Sequence, residues 1–485
     1  MNFRMIKQTL GYLLLFEAAF LVVPIITAAI YAEMREIFSF LITAVLSAVC
    51  GILLIKYGKP KNKLLFAKDG FAIVSASWIL ISLFGALPFI ISGAIPNFIN
   101  ALFETVSGFT TTGASILSEV ESLPRSIIMW RSFTHWVGGM GVLVFIIAFL
   151  PLSGGQNMHI MKAESPGPSV SKLVPRVKNT AIILYVIYII LTVLTFVFLL
   201  LADNNVFDSV NLAFATAGTG GFGIRNDSMA SFSAMTQIIV TVFMILFSIN
   251  FNSYYLIVKG KFKDALNTEV RVFLYIVTSA VIIIAFNILG SSGAENLGDA
   301  FRHSAFTVAS LISTSGFSTL DFNLWPELSR TLLIFVMFVG ACAGSTGGGI
   351  KVSRIILMFK GMTRELSKLT HSKEVKKITL DSRPVEHEVI RSINAYIISY
   401  VAVFAVSVLL LSFDSFGGAM ASTTNFTAVV ATLNNIGPGL EAVGPTANFA
   451  GYSIFSKLVL IFDMLAGRLE LFPMLVLFAP STWRK

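Results

Sequence analysis

Four short glycine-containing turns recur along the 485-residue chain, each between two long apolar segments. Glycine readily adopts positive φ angles, which lets successive backbone carbonyls point in one direction. Several sets of such carbonyls, converging on one axis, can replace the hydration shell of a cation. A single turn of this kind is usually an ordinary loop cap, but four in equivalent positions need a common cause. In chain order, the first to fourth turns are Thr111-Thr112-Gly113-Ala114, Gly218-Thr219-Gly220-Gly221, Thr314-Ser315-Gly316-Phe317 and Asn435-Ile436-Gly437-Pro438.

The residue types in these turns favour an alkali cation. The hydroxyl groups of Thr112, Thr219 and Ser315 could add hard oxygen ligands, which suit an alkali ion better than a transition metal. No carboxylate lies within the turns, and this favours a monovalent over a divalent cation. The fourth turn departs furthest from the others. The predicted cation-binding residues are Thr111, Thr112, Gly113, Gly218, Thr219, Gly220, Thr314, Ser315, Gly316, Asn435, Ile436 and Gly437.

The composition is that of an integral membrane protein. Hydrophobic residues make up 55% of the chain, charged residues make up 13%, and the mean hydropathy is +0.81. A membrane-spanning helix needs about 20 consecutive apolar residues. A further run, 331–362, is long enough but is interrupted by glycines. The uninterrupted runs that qualify are 10–31, 37–55, 71–91, 127–152, 180–201, 232–258, 272–289, 393–411 and 454–478.

The net charge of +9 follows a membrane topology rather than a nucleic-acid-binding pattern. Lysine and arginine collect in alternate loops, near residues 56–68, 162–178, 259–263 and 364–383, whereas the loops that contain the turns are acidic. By the positive-inside rule, the basic loops and both termini are predicted to be cytoplasmic, with the turns opening outward. Any polytopic membrane protein would show the same bias, so the charge pattern does not by itself explain the turns.

The segments around the turns form a repeated unit of apolar helix, short half-helix, glycine turn and apolar helix. The half-helices are predicted at 98–109, 207–216, 297–313 and 415–432. Matching Gly113, Gly220, Gly316 and Gly437 gives intervals of roughly a hundred residues, which is typical of a duplicated membrane unit rather than a solenoid. We therefore predict an all-α polytopic membrane protein with two N-terminal helices plus four pseudo-fourfold helix–pore-helix–helix repeats around a central pore. The predicted boundaries are 1–68 for the N-terminal helices and 69–157, 158–260, 261–388 and 389–485 for the repeats.

Two features interrupt the apolar pattern. Residues 344–349 are glycine, serine and threonine, which are costly inside a helix, so we predict a break within the membrane below the third turn. A phosphate-binding loop has a similar glycine spacing, but Lys351 comes one place late and no strand precedes it. Arg468 is a charge inside the last apolar run. Such a residue faces a cavity or a partner, and an ion pair with Glu470 or Asp463 is one candidate role.

The four turns, residues 340–351 and the sequence Gly467-Arg468-Leu469-Glu470 resemble the Trk/Ktr/HKT superfamily of potassium uptake proteins, over essentially the whole chain. The two extra N-terminal helices resemble the bacterial TrkH and TrkG type. The resemblance implies a potassium pore whose selectivity filter is formed by the turns. Family members that favour sodium commonly carry serine at the glycine position of the first turn. This chain has Gly113 there, which resembles the potassium-selective members.

The resemblance also implies an intramembrane loop that blocks the pore and moves on activation, with Arg468 as an electrostatic barrier beneath the filter. It further implies a homodimer in the bacterial inner membrane and a cytosolic nucleotide-binding regulatory subunit of the TrkA type. The basic loops are candidate docking surfaces for that subunit. The potassium ion is the transported species, and no organic cofactor is expected in this chain. The implied gate residues are Gly344, Ser345, Thr346, Gly347, Gly348, Gly349, Lys351 and Arg468.

Nothing in the chain indicates an enzyme. No nucleophile–base constellation stands out, and the five histidines lack metal-ligand spacing. His135 is more typical of helix packing than of a proton relay. The alternative to a pore is a potassium symporter coupled to sodium or protons, which would be expected to contain inverted repeats and ionisable groups at the substrate site.

Overall fold

The computed structural model describes residues 1–59, 66–141, 177–290, 294–371, 377–381 and 383–483. Regular secondary structure within these residues is helical, apart from an antiparallel pair of two-residue strands, β1 (Thr379–Leu380) and β2 (Arg383–Pro384). The predicted all-α fold is therefore confirmed. Numbered along the described chain, the helices are α1 (Phe3–Phe20), α2 (Val22–Ile30), α3 (Met34–Tyr57), α4 (Ala67–Gly85), α5 (Leu87–Ile91), α6 (Phe98–Phe109), α7 (Arg125–Gly139), α8 (Val177–Leu201), α9 (Val206–Gly218), α10 (Ala234–Ser248), α11 (Phe251–Val258), α12 (Phe262–Ala265), α13 (Thr268–Ile288), α14 (Leu297–Ile312), α15 (Glu327–Val339), α16 (Val352–Thr370), α17 (His387–Leu411), α18 (Ala421–Leu433), α19 (Ile454–Arg468), α20 (Phe472–Phe478) and α21 (Pro480–Trp483).

Six helical segments of the described chain are long and apolar enough to cross a membrane, or seven if one bent pair is counted as a span. This confirms a polytopic membrane protein. The predicted run 127–152 coincides with α7 at its start. Residues 142–152 and most of the predicted basic loop near 162–178 lie outside the described residues. The six segments are Phe3–Ile30, Met34–Tyr57, Lys68–Ile91, Asn179–Leu201, Thr268–Ile288 and His387–Leu411.

The predicted run 232–258 is not one continuous helix. It divides into α10 and α11, which are bent by 90°. Asn250 lies at the break, and its side-chain oxygen accepts a hydrogen bond from the backbone N–H of Asn252 at 2.9 Å. Asparagine is a strong N-cap residue, so this bond starts a new helix where hydropathy alone predicts continuity.

The predicted run 454–478 is also not one continuous helix. Glu470 and Leu471 adopt φ angles of 54° and 66°, which end α19, and Pro473 lies in the first turn of α20. Proline is favoured at helix starts because its ring presets φ and its missing N–H is not needed there. The predicted break in the third repeat is confirmed, since α15 and α16 are separated by residues 340–351.

The four half-helices are α6, α9, α14 and α18. α6 coincides with the prediction, and α9 and α14 agree with it to within two residues at each end. α18 begins six residues later than predicted, because Gly417 has a φ of 94° and a short 3₁₀ helix, Gly418–Met420, precedes it. The other three begin at asparagines whose side chains accept backbone N–H hydrogen bonds at 2.8–3.0 Å, namely Asn97, Asn205 and Asn296.

The N-terminal helices pack through small residues. A Cβ atom built on Gly11 of α1 would lie 2.7 Å from the carbonyl oxygen of Gly51 in α3, so the two backbones approach closely. α1 also contacts α4, which places this pair of helices against the first repeat. A buried cluster joins the first and fourth repeats and includes Phe109, Trp130 and Met464. The boundaries between the repeats stay predictions.

Candidate ion pathway

Each half-helix ends in the same backbone motif. One residue just beyond the helix has a left-handed conformation, with φ between 53° and 62°. The N–H of the following residue donates to a carbonyl five residues earlier, at 2.8–2.9 Å. Positive φ is a genuine outlier for β-branched residues, and strain of this kind concentrates at functional sites. The left-handed residues are Thr111, Thr219, Thr314 and Asn435.

The second turn is shifted by one residue from the predicted match. A glycine with positive φ follows two residues after each left-handed residue, and in the second turn this is Gly221, not Gly220. Gly220 therefore corresponds to Thr112, and Gly218 ends α9 before the turn begins. Three closely spaced glycines made the register ambiguous in the sequence, and the end of α9 decides it. The matched glycines have φ angles of 78°, 75°, 76° and 104° at Gly113, Gly221, Gly316 and Gly437.

These four glycines pack in a closed cycle, each against a carbonyl of the next turn. A Cβ atom on Gly113 would lie 2.0 Å from the oxygen of Gly220, and one on Gly221 would lie 1.6 Å from that of Ser315. The cycle closes through the third and fourth turns. A Cβ atom on Gly316 would lie 2.1 Å from the oxygen of Ile436, and one on Gly437 would lie 2.9 Å from that of Thr112. No ordinary side chain fits at three of these four contacts without displacing backbone.

All four glycines line a single cavity, which we call the glycine cavity (Gly113, Gly221, Gly316 and Gly437). The C-terminal ends of the four half-helices meet beside it, and a helix C-terminus carries partial negative charge. The structure therefore brings together the turns that lie far apart in the sequence. Their arrangement can offer backbone oxygen atoms and a negative potential to a cation.

The chain between α15 and α16, which we call the glycine-rich loop (residues 340–351), lies directly against two of the turns. The N–H of Gly348 donates to the hydroxyl of Thr314 at 2.7 Å, and that of Gly349 donates to the carbonyl of Asn434 at 3.1 Å. The N–H of Cys342 donates to the carbonyl of Ser248 at 3.0 Å, at the break between α10 and α11. The loop thus fills the space beside the turns and the helix break.

Arg468 joins the first turn, the glycine-rich loop and the end of α7. Its Nη1 donates to the hydroxyl of Thr111 at 3.2 Å and to the carbonyl of Thr346 at 3.0 Å. Its Nη2 donates to the carbonyls of Gly138 and Gly139 at 2.5 and 2.7 Å. These contacts, one with a hydroxyl and three with backbone carbonyls, place the guanidinium between the first turn and the loop.

The two carboxylates proposed as partners of Arg468 are engaged elsewhere. Glu470 forms an ion pair with Arg354, and Asp463 accepts a hydrogen bond from Ser407 at 2.7 Å. A second cavity, the arginine cavity, is lined by Arg468, Lys351 and the loop glycines. The side-chain ammonium of Lys351 donates to the carbonyl of Gly347. The predicted gate residues therefore lie together.

The TrkH family model, described as a cation transport protein, matches residues 36–485. The chain belongs to the TrkH family. It is 35% identical to the Trk system potassium uptake protein TrkH of Escherichia coli (strain K12), covering 100% of both chains. It is 31% identical to the TrkG protein of the same strain, covering 99% of both chains. It is similar to the crystal structure of the potassium transporter TrkH from Vibrio parahaemolyticus, with a TM-score of 0.88 and 33% identity over 100% of both chains. The predicted resemblance to the Trk/Ktr/HKT superfamily is confirmed.

In this TrkH-family chain, the three hydroxyls predicted as cation ligands have hydrogen-bond partners within the protein. The hydroxyl of Thr112 lies 2.8 Å from that of Thr110 and accepts a hydrogen bond from Asn435 at 3.0 Å. The hydroxyl of Ser315 lies 2.8 Å from that of Ser313. Thr219 donates to the carbonyl of Gly218 at 2.7 Å. The backbone carbonyls, rather than these hydroxyls, are therefore the better candidate ligands.

His135 connects the first two turns by packing. Its Nδ1 lies 2.8 Å from the carbonyl oxygen of Gly108, and the backbone N–H of Phe222 donates to its Nε2 at 3.2 Å. Because Nε2 accepts this bond, the ring proton belongs on Nδ1. The imidazole occupies the space that the missing side chain of Gly220 leaves, where a Cβ atom would lie 2.2 Å from the ring. The packing interpretation explains all of these contacts.

Glu269, in the first turn of α13, was not identified from the sequence. Its carboxylate accepts the backbone N–H of Ala343 at 2.7 Å and that of Ser353 at 3.2 Å. It therefore attaches the glycine-rich loop to the start of α16. The signal in the sequence was weak, because a glutamate at a helix start is common wherever helices begin.

Replacing Glu269 with alanine is expected to loosen the glycine-rich loop. Hydrogen bonds to a charged group are worth about 1.5–3 kcal/mol each, so the open population should rise roughly tenfold or more. Cys342 is buried in the loop, which makes its modification by a small membrane-permeant thiol reagent a direct measure. The reaction is followed in a Cys50→Ser background.

The matched control is Glu295→Ala, which removes an exposed carboxylate. It should leave the modification rate of Cys342 at the value of the parent protein. Equal rates in the Glu269→Ala variant and in this control would show that Glu269 does not hold the loop.

Proposed function

We propose that this chain is the potassium-conducting pore of a Trk system in the bacterial inner membrane. The observation that carries the proposal is the closed cycle of four glycine turns. A filter of this kind binds a dehydrated cation through rings of backbone carbonyls. The relatives that cover the whole chain are named potassium uptake proteins, which supports potassium as the ion.

In the proposed pathway, ions enter the glycine cavity from outside the cell and lose water at the four turns. The filter comprises Thr111–Gly113 and its counterparts in the other turns, with Gly221 added to the predicted set. Below it, the glycine-rich loop and Arg468 obstruct the path. The hydrogen bonds that the loop makes with Thr314, through Gly348, and with Arg468, through the carbonyl of Thr346, support its role as a gate, since opening must break them.

The driving force in this proposal is the membrane potential. Moving one charge across 100 mV is worth about 2.3 kcal/mol, which is sufficient for accumulation without hydrolysis. The basic loops support a cytoplasmic location of both termini, so the glycine cavity faces outward. The function of the chain is accordingly transport and not catalysis.

A homodimer and a TrkA-type nucleotide-binding subunit complete the proposed system. Lys259, Lys261 and Lys263 form one of the basic loops available for docking. If this loop is the docking surface, replacing all three lysines with neutral residues should abolish co-purification of that subunit with the chain, while dimerisation persists. Unimpaired co-purification would remove this loop as the docking surface.

Purified chain in liposomes provides the test of the pore. We expect potassium flux driven by a potassium gradient and an imposed potential, with no sodium present and with protons equilibrated by an ionophore. The reason is that a filter of carbonyls requires no co-transported ion. Flux is measured with a potassium-sensitive dye, and protein-free liposomes are the control. Strict dependence on a sodium or proton gradient would instead establish the coupled symporter, and no potassium flux under any gradient would refute both.

A further inference from the structure

A fully buried ion pair lies behind the first turn. Glu104 belongs to α6 and Arg131 to α7, and their side chains are 0% and 2% exposed. The guanidinium Nε and Nη2 approach the same carboxylate oxygen at 2.9 and 2.8 Å. Removing two charged side chains from water costs free energy, and a protein with an apolar pair of similar size in their place is often at least as stable. A buried ion pair therefore suggests a role other than stability.

Glu104 holds the chain that leaves the first turn. Its carboxylate accepts the backbone N–H of Ile116 at 3.0 Å and the hydroxyl of Ser115 at 3.0 and 3.1 Å. Ser115 follows Gly113 by two residues. The position of the first matched glycine is thus connected to a carboxylate inside the half-helix that precedes it.

Arg131 holds the chain that leaves the second turn. Its Nη1 donates to the carbonyl of Gly223 at 3.3 Å, and its guanidinium lies 4.1 Å from the centre of the Phe222 ring. Gly223 follows Gly221 by two residues. Arg131 itself lines the glycine cavity, together with Ser115 and Phe222. One ion pair therefore ties the exits of two neighbouring turns to each other, next to the proposed path of the ion.

The third and fourth turns are supported differently. In the third, the hydroxyl of Ser310 donates to the carbonyl of Phe317 at 2.6 Å. In the fourth, the hydroxyl of Thr427 accepts the N–H of Leu440 at 3.0 Å. Both bonds are local and neutral, and each remains within one repeat. Arg330 of α15 also forms an ion pair with Glu441, beyond the fourth turn, but these two side chains are partly exposed. A charged connection that is fully buried is therefore found, among the described residues, behind the first two turns and not behind the other two.

We infer that the Glu104–Arg131 pair is a specificity-determining support, which sets the separation of the first two turns and thereby the discrimination between potassium and sodium. The inference rests on the proposed function. Selectivity depends on the number, spacing and field of the carbonyls, so their supports must be rigid. The carboxylate also neutralises a guanidinium that would otherwise repel cations from the glycine cavity.

The pair has two roles, to set the separation of the first two turns and to neutralise the guanidinium, and these roles predict different results in a double-mutant cycle. Glu104→Gln keeps the shape but leaves an uncompensated positive charge beside the cavity, so potassium flux should fall about tenfold or more. Arg131→Met removes the fork that contacts Gly223, so the potassium-to-sodium permeability ratio should fall about tenfold, the worth of one charge-assisted hydrogen bond. The double variant should recover flux but not selectivity.

The experiment measures reversal potentials in mixed potassium and sodium with the full chain in planar bilayers. Arg131→Lys retains the charge but not the planar fork, and should be intermediate in selectivity. Arg302→Met is the matched control, because Arg302 forms a partly exposed pair with Asp299 at 2.8 Å. Folding of each variant is checked by its size-exclusion profile and thermal midpoint.

A wild-type chain that carries no potassium refutes the proposed function, and this inference with it. The inference alone is refuted if the wild type conducts potassium and two folded variants keep its potassium-to-sodium permeability ratio. These variants are Arg131→Lys and the double variant Glu104→Gln/Arg131→Met. A reduced ratio in these two variants and an unchanged ratio in Arg302→Met support it.

Discussion

Replacing Arg468 with alanine is expected to raise the basal potassium flux about tenfold or more, since hydrogen bonds from a charged group are worth roughly 1.5–3 kcal/mol each. The guanidinium joins Thr111, Thr346 and the end of α7, so its loss frees one side of the glycine-rich loop. It also removes a positive charge from the proposed ion path, where a charge far from bulk water acts strongly on a passing cation. The measurement is potassium uptake into proteoliposomes at equal protein content.

Two further variants separate these effects. Arg468→Lys retains the charge but not the several hydrogen bonds of the guanidinium, so its flux reports the contribution of charge alone. Lys7→Ala removes an exposed positive charge near the N-terminus and should behave as the wild type. If Arg468→Ala has wild-type flux at normal protein content, Arg468 is not part of the barrier.

The Gly221→Ala variant is expected to reduce potassium flux roughly a hundredfold, because overpacking and a strained φ each cost about 1–3 kcal/mol. Its Cβ atom would lie 1.6 Å from the carbonyl oxygen of Ser315, so the second and third turns must separate. The same assay of potassium uptake applies. The variant tests the register of the second turn directly, because the sequence alone indicated Gly220 as the match of Gly113.

Gly260→Ala provides the control for backbone strain. Gly260 has a φ of 73°, close to the 75° of Gly221, but a Cβ atom there would meet nothing within 4 Å. It should therefore share the conformational strain and retain potassium flux. Equal flux in the two variants would mean that the close contact between the turns is not required for conduction.

Sequence patterns predicted the helices well where the determinants are local. The bounds of α6 agree with the prediction because Asn97 caps the helix and the apolar pattern ends at the first turn. The breaks between α10 and α11 and between α19 and α20 were missed. An asparagine or glutamate within an apolar run does not reveal a break when the backbone groups freed there find partners in another repeat. At the first break, the carbonyl of Ser248 accepts the N–H of Cys342, and the N–H of Phe251 donates to the carbonyl of Gly344.

The candidate site was likewise predicted only where its determinants are local in the sequence. The turns were visible because glycine and threonine at helix ends are a local signal, and the glycine-rich loop was visible because it interrupts an apolar run. The register of the second turn was not, since any of three closely spaced glycines could be the match of Gly113. In the sequence, Glu104, Arg131 and Glu269 resemble ordinary charged residues. Their roles depend on contacts with segments far away in the sequence.

Hydropathy, charge distribution and the recurrence of the turns by themselves determined a polytopic helical membrane protein with four related segments and a helix break beside Lys351. These properties follow from chain-local energetics, because lipid requires each spanning segment to satisfy its own backbone. The tertiary structure alone decided that the four glycines close into one cycle, that Gly221 rather than Gly220 belongs to it, and that Arg468 contacts backbone carbonyls. Those facts depend on the relative positions of helices packed from distant parts of the chain, which no local pattern specifies.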